Sequence, residues 1–373
     1  MTTALVHFNH AFDGQRTTWP SMRTSSWYPN YGDMLVCAAL IRQVRLDDTL
    51  RVGFGYPAKA PVSRALIRGS TYLHRRFDFA GANLTLDSID APLAIVGLGA
   101  QSPTADVTIL DDNPEARGFV ARLNERSASI SVRGAFSAAV VERLGGRNIR
   151  VTGCPSLFYR LSCPQVTMDD ALATSERRIG VSLHTGLEKN MFCAAPVEAR
   201  RAHVRAIRYG LDECASLSLF EQGVISEFDI ADAGLPMPLR LAAADKVLAR
   251  IDPLGDLSSD ELIAHMVSVT SIEEWLERAA ELDAIIGFRF HGNMVALLQG
   301  KPCYYYVYDS RIREFCDLYA LPFQDVREPW VAPDRAILNH DWDRTNAAMR
   351  GCLAQMQAFY AENGYHTLIE DAA

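Results

Sequence analysis

Lysine is almost missing from this 373-residue chain: only four of its 37 basic residues are Lys, at 59, 189, 246 and 301. The rest are arginine, whose planar fork captures carboxylate and phosphate in a bidentate way that an ammonium group cannot match. An excess of positive charge is missing too. The formal net charge of −8 excludes the broad basic face of a dedicated nucleic-acid binder, while leaving room for a local basic cleft. The eight cysteines, at 37, 154, 163, 193, 214, 303, 316 and 352, include no pair with Cys-x-x-Cys spacing, so no metal site is expected. Several lie in apolar runs, where Cys acts as a small hydrophobe. No apolar run approaches the roughly 20 residues needed to cross a bilayer. The first residues, MTTALVHFNH, lack the basic and apolar regions of a signal peptide. A reduced, cytoplasmic protein is expected, one that would meet a membrane substrate only peripherally, at the inner face.

What is present describes a globular protein: 49% hydrophobic and 22% charged residues. The length favours two domains over one core. A buried strand is expected at 3–8, then a polar-aromatic loop through 9–29 and an apolar helix from 33 to about 44. Strand-to-helix loops are usually much shorter, which makes 9–29 a functional candidate. Its Arg16 and Arg23 could meet phosphate. Trp19, Trp27, Tyr28 and the following Tyr31 could stack on a sugar, or simply hold down a surface flap. Further strands are expected at 49–53, 93–99, 129–132 and 149–152, with helices at 115–126 and 135–144. Polar residues 161–177 lack periodicity and suggest a boundary. A second series follows, with strands at 178–183 and 216–221 and helices at 197–210 and 239–249. SIEE (271–274) has the capping-box pattern and opens a helix over 273–282. A last helix, 343–362, could cross back to the first half. The expected division is 1–165, 175–325 and a C-terminal segment 326–373. Alternating strands and helices imply mostly parallel sheets covered on both faces.

The densest signal is the stretch 285–317. A buried strand runs into Gly287, then Arg289, His291 and Gly292, with an apolar helical run at 294–298. Gly300 and Pro302 break that helix, and an aromatic strand, 304–308, ends at Asp309 and Arg311. A cation and a titratable imidazole thus sit where a strand hands over to a helix N-terminus, a place that favours anions. In open α/β sheets ligands bind beyond the carboxyl ends of the strands. Asn30 and Asp33, the turn at Gly97 and Gly99, Arg133, 153–156, His184, Arg289 and His291 all fall at such ends. Two facing sheets would bring them to one cleft. The turn GLGAQS (97–102) is not G-x-G-x-x-G, and a nicotinamide site is only weakly supported.

In order along the chain stand NYGD (30–33), GLGAQS (97–102), SVRGAFS (131–137), TGCPSLF (152–158), RFHG (289–292) and YDSRIREF (308–315). This series resembles the polysaccharide pyruvyltransferase family over about residues 4–322. The resemblance implies a GT-B-like fold, two Rossmann-like domains around a cleft, with the acceptor on the N-terminal side and phosphoenolpyruvate on the C-terminal side. It implies transfer of the enolpyruvyl carbons onto two hydroxyls of one sugar as a cyclic ketal, in polysaccharide or exopolysaccharide biosynthesis. His291 matches the essential histidine; Arg289 and Arg133 match basic residues of the phosphoenolpyruvate site. Arg311 stands at a step where lysine is common. No metal or organic cofactor is called for, and the expected partners are phosphoenolpyruvate and a sugar acceptor, with lipid-linked oligosaccharide, polymer and free glycan all open.

Phosphoenolpyruvate carries a carboxylate and a phosphate, and Arg133, Arg289 and Arg311 could orient it by charge-assisted contacts. A proton must reach its methylene carbon, a task suited to histidine; His291 could supply it or could neutralise the leaving phosphate. Asp33 could deprotonate a hydroxyl or cap its helix. His184 could touch phosphate, and Glu221 is a further acid in reach. Two other readings stay open: a glycosyltransferase using a nucleotide sugar, since one fold hosts many chemistries, and a non-catalytic glycan-binding protein.

Overall fold

The computed structural model describes residues 1–8, 30–220, 222, 225–269 and 271–370. The loop 9–29 and Glu221 therefore lie outside the described residues, and so do the roles proposed for them. Fourteen strands run in chain order through the rest. The first eight are β1 (Thr2–Val6), β2 (Asp48–Val52), β3 (Arg64–Arg68), β4 (Thr71–Leu73), β5 (Leu93–Val96), β6 (Gly99–Ala100), β7 (Ile130–Val132) and β8 (Ile149–Val151). The remaining six are β9 (Arg178–Ser182), β10 (Ser216–Phe220), β11 (Met266–Val267), β12 (Ala284–Gly287), β13 (Cys303–Val307) and β14 (Phe323–Asp325).

The first half holds a parallel sheet in the order β2-β1-β3-β5. A bridge from Leu98 to Val132 leads on to the β7–β8 pair. The second half holds a six-stranded sheet, β11-β10-β9-β12-β13-β14. Each order reverses once, between β1 and β3 in the first sheet and between β9 and β12 in the second. Those reversals are the switch points where a crevice opens at the carboxyl edge. Every pairing between these strands is parallel. Central strands of that kind are covered on both faces and so read as continuous apolar runs, as AIIG at β12 does, where all four residues are buried. The α/β class with mostly parallel sheets is the one expected from the sequence.

Two helices set the cleft. The helix Tyr31–Gln43 starts at Asn30, whose side-chain oxygen accepts from the Asp33 backbone N–H. Asn30 is therefore the cap, and Asp33 is not. Tyr31, considered above as a sugar platform, is fully buried. Its ring packs 5.8 Å from Phe228 and 5.9 Å from Trp275, and its hydroxyl donates to the Val269 carbonyl at 2.5 Å. Each such aromatic contact contributes about 0.5–1.5 kcal/mol beyond area burial, and this pair docks a first-half helix into the second half. The helix Phe290–Leu297 begins earlier than expected, so that His291 lies in its first turn.

The helix Trp342–Glu362 returns to the first half, where Glu362 pairs with Arg150 and the following Asn363 donates to the Ser129 hydroxyl at 3.1 Å. The segment 161–177 contains one short 3-10 turn and no strand. Elements without a clear sequence signal include β3 and the helices Phe79–Asp87, Ile225–Ala231 and Ser310–Leu318. In β3 only three apolar residues lie between two arginines, and the second, Arg68, is buried rather than exposed. No described helix is long and apolar enough to cross a membrane.

Candidate active site

The two switch points face one another across a polar pocket of about 300 Å³. Of the residues expected at a site, Asn30, Asp33, Arg133, His184, Arg289, His291 and Arg311 all line it. Gly97, Gly99 and Gly292 are not among its lining residues and act from behind. The Gly97 carbonyl accepts from Arg133 Nε at 3.0 Å. A Cβ on Gly99 would sit 2.8 Å from the same arginine's Cδ, and one on Gly292 would sit 2.6 Å from Ser182 Cβ. These glycines let the arginines and the helix approach the strands.

The C-terminal wall is built on β9 and β12. Gly287 closes β12 at φ +145, where a side chain would run into Ser182 of the neighbouring strand. That close approach lets the Arg289 backbone N–H reach Ser182 Oγ at 3.3 Å, while Arg289 Nε donates to the Leu183 carbonyl at 2.7 Å. Its remaining guanidinium nitrogens are thereby aimed by a fixed stem. Asn293, one turn on, donates to the Tyr304 carbonyl at 2.8 Å and pins the helix to the sheet. Arg311 Nη2 donates to the Tyr308 oxygen at 2.9 Å, and that oxygen lies 3.0 Å from His184 Nδ1. The His184 backbone N–H donates to His203 Nε2 at 3.2 Å. Cation, phenol and imidazole thus form one row.

The N-terminal wall is different. Arg133 is tethered by the Gly97 carbonyl and by Thr71 Oγ1 at 3.1 Å. Asp33 forms an ion pair with Arg68 at the end of β3. Asp33 is the one carboxylate among the described lining residues. Three further acids stand behind the arginines. Asp309 caps the helix Ser310–Leu318 and accepts from Gln101 Nε2 at 2.6 Å. Glu314 reaches across to accept from the Ser137 N–H at 2.6 Å and its hydroxyl at 2.9 Å, at the start of a first-half helix. Glu227 accepts from Thr185 Oγ1 at 2.6 Å. Burial pushes the Glu227 and Glu314 carboxyls up to about 7.

Burial and then the neighbouring Arg133, Arg311 and Arg68 hold the His291 imidazole well below its usual range. Burial, Arg289 and Arg311 do the same to His184. Both shifts favour the neutral ring in the empty pocket, and either role considered for His291 would need it to gain a proton there. An anion placed among the arginines would reverse part of that shift.

Sequence reasoning missed Arg68, Thr71 and Gln222, and held Gly32, Gln101 and Cys154 only within the segments NYGD, GLGAQS and 153–156. Gly32 carried a signal, since it lies inside NYGD: a Cβ there would fall 2.5 Å from His291 Nδ1. Only a bare backbone fits against the imidazole.

Fold and site together define an α/β protein with an arginine- and histidine-lined cleft between two parallel sheets. The sequence pattern of the polysaccharide pyruvyl transferase family matches residues 30–310, most of the chain. The protein belongs to that family of transferases. No curated protein sequence matches it. Among solved structures, the UDP-GlcNAc 2-epimerase from Methanocaldococcus jannaschii, solved with UDP-GlcNAc and UDP, is 9% identical with a TM-score of 0.47, covering 95% of this chain and 99% of that one. A putative UDP-N-acetylglucosamine 2-epimerase from Listeria monocytogenes is 10% identical with a TM-score of 0.45, covering 100% of this chain and 92% of that one.

Proposed function

We propose that the protein transfers pyruvate from phosphoenolpyruvate to two hydroxyls of one sugar, forming a cyclic ketal on a glycan or glycan precursor. The observation that carries this reading is the convergence of Arg133, Arg289 and Arg311 with His184 and His291 on one small pocket. A carboxylate and a phosphate on three carbons need several fixed cations at close quarters, and this arrangement supplies them.

His291 supplies the proton for the methylene carbon. It is neutral in the empty pocket and gains a proton as the anion offsets the surrounding arginines. The methylene carbon takes that proton with the electron pair of the C=C bond, leaving the central carbon electrophilic. A sugar hydroxyl attacks there and returns its proton to the imidazole. Phosphate then leaves with the electron pair of its ester bond, and the second hydroxyl closes the ring as the departing phosphate takes its proton. Asp33, on the opposite wall and clear of capping duty, orients the acceptor hydroxyl.

The test is phosphate release from phosphoenolpyruvate across a panel of hexose acceptors, free and lipid-linked, with the ketal read by NMR. Absence of release with every acceptor, together with a thermal shift by UDP- or GDP-sugars and none by phosphoenolpyruvate, would overturn the reading. Calorimetry in two buffers of different ionisation enthalpy should show proton uptake on phosphoenolpyruvate binding, and tighter binding as pH falls. The uptake should diminish in His291→Gln.

A further inference from the structure

Behind His291 runs a chain of hydrogen bonds that no step above uses. His291 Nε2 lies 3.6 Å from Cys154 Sγ, which lies 2.9 Å from Ser156 Oγ, and Ser156 Oγ lies 3.1 Å from Met294 Sδ. Cys154, Ser156 and Met294 are each fully buried, so no solvent competes for these bonds. Proton counting gives the chain a direction. A thioether has no proton and can only accept, so the Ser156 hydroxyl must donate to Met294. Its single proton being committed, Ser156 Oγ can only accept from Cys154. The Cys154 thiol proton is then committed in turn, and its sulfur is left to accept from His291 Nε2. The opposite edge of the ring, Nδ1, faces the bare backbone of Gly32, where a Cβ would fall 2.5 Å from it.

We infer that Met294, Ser156 and Cys154 form a positioning relay that fixes the His291 tautomer, with Nε2 protonated and Nδ1 bearing the lone pair. Every proton that His291 gains or gives therefore passes through Nδ1. The role in ketal formation rests on the pyruvyl-transfer reading; the tautomer does not. Cys154 moves no proton to substrate, and neither Ser156 nor Met294 touches the reacting atoms. Their contribution is to keep the exchanging nitrogen on one side of the ring.

The tautomer is measurable without any substrate. In protein labelled with 15N-histidine, with the His291 signals assigned by their loss in His291→Gln, the free protein should show a pyrrole-type shift at Nε2 and a pyridine-type shift at Nδ1. Ser156→Ala removes the acceptor for the thiol proton, which then turns towards Nε2, and the two 15N shifts should exchange or average. Met294→Leu keeps the volume and removes only the sulfur, freeing the Ser156 hydroxyl, and should give an averaged pattern if Ser156→Ala misfolds. A wild-type pattern with Nδ1 protonated would overturn the relay. So would unchanged shifts in a folded Ser156→Ala or Met294→Leu. In the kinetic arm, Ser156→Ala should lower kcat about tenfold, a fraction of what general acid–base catalysis supplies, with the KM for phosphoenolpyruvate unchanged. The NMR result stands or falls whether or not pyruvyl transfer is the reaction.

Discussion

The two walls of the cleft solve the same topological problem with opposite chemistry. Each is built at the point where strand order reverses, between β1 and β3 on one side and between β9 and β12 on the other. The C-terminal wall presents Arg289, Arg311, His184 and His291, and no acid lines it among the described residues. Its guanidinium groups are aimed by a backbone carbonyl and a phenol, and the nearest carboxylate to Arg311, Asp309 at 3.8 Å, lies behind it and outside the pocket. On the N-terminal wall one cation, Arg68, is paired with Asp33, and among the described residues only Arg133 is directed at the pocket without a carboxylate bound to it. Positive charge whose acids stand behind it and outside the pocket suits an anion, whereas a carboxylate held by an arginine in the pocket wall suits a hydroxyl. The lesson is that a shared topology fixes where a ligand sits, while the pairing of each arginine decides what kind.

Substitutions on each wall can break that comparison. The largest effect is expected from His291→Gln, which should cut kcat by about 10²–10⁴, the usual contribution of a general acid–base, while the melting curve stays close to wild type. Full activity in that variant would remove the C-terminal wall from the chemistry. Arg289→Lys comes next. Losing a bidentate, charge-assisted contact costs about 1.5–3 kcal/mol, and the KM for phosphoenolpyruvate should rise by one to two orders of magnitude. An unchanged KM would show that Arg289 is structural.

Asp33→Asn tests the other wall and should move a different parameter. Acceptor kcat/KM should fall about tenfold, while phosphoenolpyruvate binds at least as tightly, because a negative charge near the anion has been removed. A loss of phosphoenolpyruvate affinity would erase the distinction between the walls.

The smallest effect concerns stability. The Glu227 carboxyl titrates at about 7 in the folded protein against 4.5 ordinarily, because burial penalises its charge. Between those values the folded state binds more protons at this group than the unfolded one, so its contribution to stability is greatest below about pH 4.5, falls as pH rises to about 7 and is flat beyond. Glu227→Gln should remove its share of that slope, leaving the part from Glu314, and raise the melting temperature at pH 8 relative to wild type. A parallel pH dependence in both proteins would show that Glu227 is ionised without penalty.

Much of the fold was legible because it is written in local patterns. Apolar runs marked β9, β12 and β13, and Ser271 accepts from the Glu274 N–H at 3.1 Å as the SIEE pattern predicts. Helix Trp342–Glu362 lies within one residue of expectation. β3 was missed because a buried arginine disguises its end. Helix Ser310–Leu318 was missed because its capping Asp309 reads equally well as the end of a strand. At the site, the strand-to-helix rule pointed to residues that now line one pocket, yet it could not distinguish Arg133, which lines it, from Gly97 and Gly99, which hold that arginine in place.

The amino-acid sequence alone determines the alternation of strands and helices, the family motifs and the store of arginine, since each is a property of composition or of neighbours a few residues apart. Only the tertiary structure decides which charges meet. Asp33 finds Arg68 35 residues away, and Cys154 lies against His291 across 137. Glu314 reaches Ser137 across 177. Crossover connections make those separations, and they leave no periodicity for a local reading to detect. Whether a carboxylate caps a helix, neutralises an arginine or faces a ligand depends on them.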